Sequence, residues 1–267
     1  MLNAIHLYMR YMEISVRGQM QYRASFVMLS VGHLLATGVE FVAILVLFAR
    51  FDNLQGWTLH EVAFLYGMVN IAFSIADAAA RGFDLFGNMV KSGDFDRLLA
   101  RPRSTALQLA GQELTLRRVG RFAQGFAVMV WASVVMNVSW SASDVTLLIA
   151  AVVGGACMFM GLVVVQATLA FWTTETLEIM NTVTYGGVET TQYPIAIYRP
   201  WFQKLFTFGV PLACVSYFPA LAIIGKSDPL GSPLWFQYAA PLIGVGFLVV
   251  ALRLWRFGER HYLSTGS

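Results

Sequence analysis

Long apolar runs separated by short polar breaks make up most of this chain. The runs fall at about 25–48, 62–80, 119–138, 145–171 and 234–254. Each is close to the ~20 residues that a helix needs to cross a bilayer's hydrocarbon core. Ahead of them, residues 3–22 place Ile5, Tyr8, Met9, Met12 and Val16 near a helical period, with Arg10, Arg17 and Arg23 among them. That pattern predicts an amphipathic helix over 1–23 lying along the membrane surface. It does not read as a signal peptide, because no cleavage-like site precedes a short apolar core.

One break differs from the rest. Residues 81–118 form the longest polar segment, and its middle reads GNMVKSGDFDRLLARPR. A charged loop of this length between apolar runs is either idle connection or a docking element.

The stretch 172–233 is ambiguous. Residues 172–192 carry Glu175, Glu178, Asn181, Thr182, Thr184 and Glu189, too polar for a lipid-facing helix, yet Leu177, Ile179, Met180, Val183 and Val188 let it span if neighbours shield it. Residues 205–225 are apolar but broken by Pro211 and Pro219.

Composition strengthens the membrane reading. Of 267 residues 57% are hydrophobic and 12% charged, with a mean hydropathy of +0.62. Soluble domains carry roughly 25% charged residues. The length leaves no room for a large soluble domain, and a net charge of +3 is no nucleic-acid signature. Lys and Arg are unevenly distributed: three up to residue 23, eight over 81–121, three at 253–260, but only Arg50 and none in the two short loops between. Positive charge marks the cytoplasmic side, so both ends of the chain and the long loop are expected inside. Only one net crossing then fits between 172 and 233. Either 172–192 crosses and 205–225 dips back from outside, or 205–225 crosses.

Candidate chemistry is sparse. Cys157 and Cys214 lie in apolar runs without metal-ligand spacing and read as packing residues. Gly225-Lys226-Ser227 resembles the end of a phosphate-binding loop, but the required glycine five positions before is Ala220. No HExxH or GxSxG occurs, and no catalytic or metal residues are indicated. The sequon at Asn137 sits at the end of a run and reads as a chance match. His33 and Glu40 in the first run, and Asn70 and Asp77 in the second, are ionisable or polar groups that normally face a bundle interior. Glu178, Asn181 and Glu189 fall near one helix face and, with Thr184, are candidate pathway-lining residues.

The set GDFDRLLARP at 93–102, AFWT at 170–173, YPIAIY at 193–198 and FGVPLACVSYFPA at 208–220 resembles the six-span permease subunits of bacterial ATP-binding-cassette exporters of type-2 architecture. The closing GERHYLSTG fits the same family. The resemblance implies an all-α polytopic membrane protein with six spans, the fifth at 173–192, and a re-entrant or external segment at 193–225. It implies a permease domain over 24–267 in the bacterial inner membrane, both termini cytoplasmic. It further implies a second permease subunit, identical or related, and a cytoplasmic ATPase dimer that binds ATP and Mg, with no cofactor on this chain. The coupling element falls at about 86–103. Phe95, Leu98 and Leu99 are then the expected apolar anchors in an ATPase groove, ringed by Asp94, Asp96, Arg97 and Arg101. Ser92 and Asp94 read alternatively as N-caps of short helices. An autonomous channel or secondary carrier is the competing class.

Overall fold

The computed structural model describes residues 2–112, 118–173 and 177–262. Among these the chain is helical throughout and forms no strand. The elements are α1 (Leu2–Gln21), α2 (Arg23–Arg50), α3 (Leu59–Asp84), α4 (Phe86–Ser92), α5 (Phe95–Leu99), α6 (Thr105–Gln112), α7 (Val119–Val135), α8 (Ala142–Leu169), α9 (Leu177–Thr191), α10 (Pro200–Lys204), α11 (Tyr217–Ile224) and α12 (Leu234–Arg260).

Helix α3 is the axis of the bundle. It starts on a capping box, in which Thr58 Oγ1 accepts from Glu61 N and Glu61 Oε2 accepts from Thr58 N at 2.8 Å. These bonds satisfy amides that a helix start leaves without partners. Nearly every side chain from Val62 to Ala80 is buried, because other helices surround α3 on all sides. By contrast α2 buries almost nothing of its apolar window and shows Met28, Leu35, Val39 and Val46 outward. An apolar stripe like this is at rest only against lipid or another apolar surface.

Helices α8 and α12 approach at backbone distance. A Cβ built on Gly154 would overlap the Pro241 carbonyl, and one on Gly244 would overlap the Gly154 carbonyl. Small residues that let backbones meet replace the hydrophobic drive that is absent in lipid.

By length and composition, α2, α3 continued through α4, α8 and α12 qualify as membrane spans. A fifth results if the pair Pro200–Gly209 and Leu212–Ile224, bent by 74° around Pro211, is one broken span. Both α7, with 17 residues, and α9, with 15 described, are shorter than the test requires. By this measure the described residues hold four to five candidate spans, against the six implied by the resemblance. The reason is physical: α7 is short, and α9 is polar and begins next to residues 174–176, which lie outside the described residues.

The two ends of the bundle differ. At the arginine-rich end gather α1, α4 to α6 and the last turns of α12, with Tyr11 of α1 resting on Gly111 of α6. At the opposite end Lys226 Nζ binds both oxygens of Glu61 at 2.7 Å and sits 4.4 Å above the Trp57 ring. The phosphate-loop-like tripeptide thus has its lysine in a structural ion pair.

Candidate coupling site and polar seam

Helices α4 and α5 are joined at Gly93, whose φ of +74° is a left-handed conformation that glycine adopts without strain. After it, α5 runs for five residues and ends before Arg101-Pro102, where the proline disfavours continued helix. Five residues cannot hold a helix by themselves. Tertiary contacts hold this one.

Those contacts are a knot of six aromatic rings. Phe95 is fully buried, with ring centroids 4.9 Å from Phe86, 5.0 Å from Tyr262, 5.6 Å from Phe171 and 6.2 Å from Trp255. Trp255 meets Phe83 edge-on at 5.2 Å and donates its indole N–H to Thr105 Oγ1 at 3.0 Å. The knot therefore joins α5 to the ends of α3, α8 and α12 and to the start of α6. Leu98 is buried beside it, and Gln108 Nε2 donates to the carbonyls of Leu98 and Arg103 at 3.3 and 3.1 Å.

This placement alters the expected docking face. Phe95 and Leu98, expected as anchors in a partner's groove, are buried in the chain's own core. Leu99 stays exposed, and so do Asp96, Arg97 and Arg101, while Asp94 is half-buried and pairs with Arg97 at 3.2 Å. Nor are Ser92 and Asp94 N-caps: the Ser92 hydroxyl contacts the Asp94 carboxylate at 2.7 Å, and Asp94 makes no capping bond to a backbone amide. Tyr262, just past α12, lies beside Asp96; burial and that carboxylate raise its phenol above the ordinary value of 10.0.

A second feature runs along α3. Asn70, Ser74, Asp77, Arg81 and Asp84 recur at intervals of four and three, which aligns them on one face. The N-terminal end of α7 answers with two arginines. Arg118 pairs with Asp77. Arg121 donates through Nε to Asn70 Oδ1 at 2.6 Å, reaches Glu40 of α2 at 3.3 Å, and lies 4.9 Å from the Phe73 ring centroid. Beside it Thr37 contacts Gln124, and the Tyr66 hydroxyl donates to the Thr37 carbonyl at 2.9 Å. Polar bonds thus fasten α2 to the bundle along a helix whose other faces are apolar. Glu40 and Asp77 thereby acquire cationic partners, while His33 is half-buried on the same helix as Glu40.

On α9 the described side chains divide. Thr184 is buried, whereas Glu189 is exposed and lies within electrostatic reach of Arg121 and Glu40. Tyr185 meets Phe73 edge-on at 5.8 Å. Thr184 and Glu189 therefore do not share one surface. Glu175 lies outside the described residues, as do the side chains of Glu178 and Asn181. Among the described residues no group of three His, Cys, Asp or Glu is disposed to hold a metal ion.

A bundle of long apolar helices with a short charged hairpin clamped across one end is the architecture of a polytopic membrane protein. A family profile described as "ABC-2 family transporter protein" matches residues 34–266, and the chain belongs to that family. No curated protein and no solved structure gave a significant match.

Proposed function

We propose that this chain is the permease subunit of an ATP-driven exporter, with α5 as the element that receives the stroke of a separate cytoplasmic ATPase. One observation carries the reading: a five-residue helix is clamped by aromatic rings to three long helices, yet turns Asp96, Arg97, Leu99 and Arg101 outward. A loop that only connects spans has no use for such a clamp. In this reading six crossings, including α7 and the fifth span expected at 173–192, place the arginine-rich end in the cytoplasm. Two permease subunits form the pathway, two ATPases bind ATP and Mg, and this chain holds no cofactor. Force on α5 passes through Phe95 to Phe171 and Trp255, and so to the tightly packed α8–α12 pair. Glu189, with Glu178 and Asn181 on the same helix, contributes polar lining, while Thr184 supports it from within.

The test is to assemble the complex with its ATPase and reverse charge at Arg97 and Arg101 together. Two rim charges at ~1 kcal/mol each weaken association by roughly tenfold or more. ATPase binding and stimulation that survive R97E/R101E unchanged refute the assignment. Transport by the permease reconstituted without ATPase or ATP refutes the class.

A further inference from the structure

Behind the aromatic knot lies an apolar groove that the coupling reading does not use. It has a volume of about 250 Å³ and opens between α3, α6, α8 and α12 at the arginine-rich end. Phe83, Leu107, Met160 and Leu252 form its apolar walls, the small Ala110 lies on its floor side in α6, and Arg256 stands in its lining. Ser104 adds a hydroxyl at the same end.

The charge around the groove is mainly positive, with Glu259 as the one acidic residue in the last turns of α12. Arg253, Arg256 and Arg260 follow at three- and four-residue spacing, so they share one side of α12, and all three are exposed. None of them forms a salt bridge among the described residues. Arg103, also exposed, precedes Ser104. An apolar slot with Arg256 in its lining and further arginines without salt bridges on the same side of α12 is complementary to an acyl chain bearing an anionic headgroup.

We propose that this groove is a binding site for an anionic phospholipid. An acyl chain lies against Phe83, Leu107 and Leu252, and the phosphate is held by Arg256, with Ser104 donating its hydroxyl. Phe83 is shared with the knot, where it packs on Trp255. A lipid in the groove therefore braces the wall from which α5 hangs. This bracing role rests on the coupling reading, whereas occupancy of the groove rests only on the chain being a membrane protein.

The experiment is native mass spectrometry of the full-length permease released from nanodiscs of equal phosphatidylglycerol and phosphatidylcholine with matched acyl chains. Wild type is expected to retain phosphatidylglycerol preferentially. One arginine near an anionic surface is worth about 1 kcal/mol, so Arg256→Gln lowers that preference about fivefold, and Arg256→Lys preserves most of it. Ala110→Trp fills the floor and lowers retention of both lipids. Equal retention of the two lipids by wild type overturns the proposal, and so does a preference that R256Q leaves intact. Because no ATPase is present, the outcome is independent of whether α5 couples to one.

Discussion

Truncating Phe95 to Ala tests whether α5 is held by the knot or by its own sequence. The side chain is fully buried and faces four other rings. Removing such a ring costs about 3–5 kcal/mol when the site cannot collapse. The loss falls on a five-residue helix whose remaining apolar hold is Leu98. It therefore appears as local release of the hairpin and leaves the long helices in place. At 1.4 kcal/mol per factor of ten, amide protection over residues 95–100 drops by roughly a hundredfold or more. Hydrogen exchange read by mass spectrometry on the purified permease measures this directly. Phe95→Leu retains most of the burial, loses the ring–ring contacts worth about 0.5–1.5 kcal/mol, and gives an intermediate drop. In the assembled complex, F95A is expected to keep ATPase binding through Arg97 and Arg101 while losing stimulation. Protection that falls less than tenfold, or evenly across α3, α8 and α12, refutes the claim that the knot positions α5.

Two further outcomes follow from the charged groups. Arg121 is more deeply buried than Glu40, with side-chain exposures of 9% and 32%, so Arg121→Met lowers the thermal midpoint in detergent more than Glu40→Gln does. The pair couples by about 0.5–3 kcal/mol in a double-mutant cycle, and strict additivity shows that α2 is not fastened there. At the other end of the seam's helix neighbours, Tyr262 should titrate above the ordinary 10.0. Because its folded value is raised, the tail's contact with α5 is intact below pH 10 and weakens as pH climbs through the folded value. The ultraviolet titration of wild type minus Tyr262→Phe isolates this group; Asp96→Asn should move its midpoint back toward 10, and a wild-type midpoint at or below 10 rules out the contact.

Much of the scaffold was legible because it depends on local pattern. Run lengths mark the apolar helices, Gly93 and Pro102 bracket α5, and Pro211 and Pro219 mark the broken segment. What was not legible depends on contacts distant in sequence. Phe95, Leu98 and Leu99 are equally apolar, and on so short a helix spacing does not say which face is inner. Phe171, Trp255 and Tyr262, all more than seventy residues away, decide it by taking Phe95 and Leu98 into the core. Glu40 was visible as an intramembrane carboxylate, but its partner Arg121 comes from another helix 81 positions on. The four-and-three spacing of Asn70, Ser74, Asp77, Arg81 and Asp84 along α3 is the sequence signal that marks the polar face.

That division bears on how a stroke would travel. An apolar anchor inserted in a partner's groove would let α5 move with the partner and independently of its own bundle. The opposite arrangement holds here, with rings inside and charges outside. The inner contact is densely packed, so in the proposed reading α5 and the ends of α3, α8 and α12 move as one body. In the same reading the outer contact rests on screened surface charges, each worth little, which would let a partner form and release it repeatedly. Relative motion within the permease, so read, falls at α2, which buries almost nothing of its apolar window and is held to α7 by the Glu40–Arg121 pair and by the close approach of Gly120 to the Ser30 carbonyl. A disulfide or cross-link locking α2 to α7 is the change that would arrest such a motion while leaving α5 free to dock, and undiminished transport in that cross-linked form would show that the moving boundary lies elsewhere.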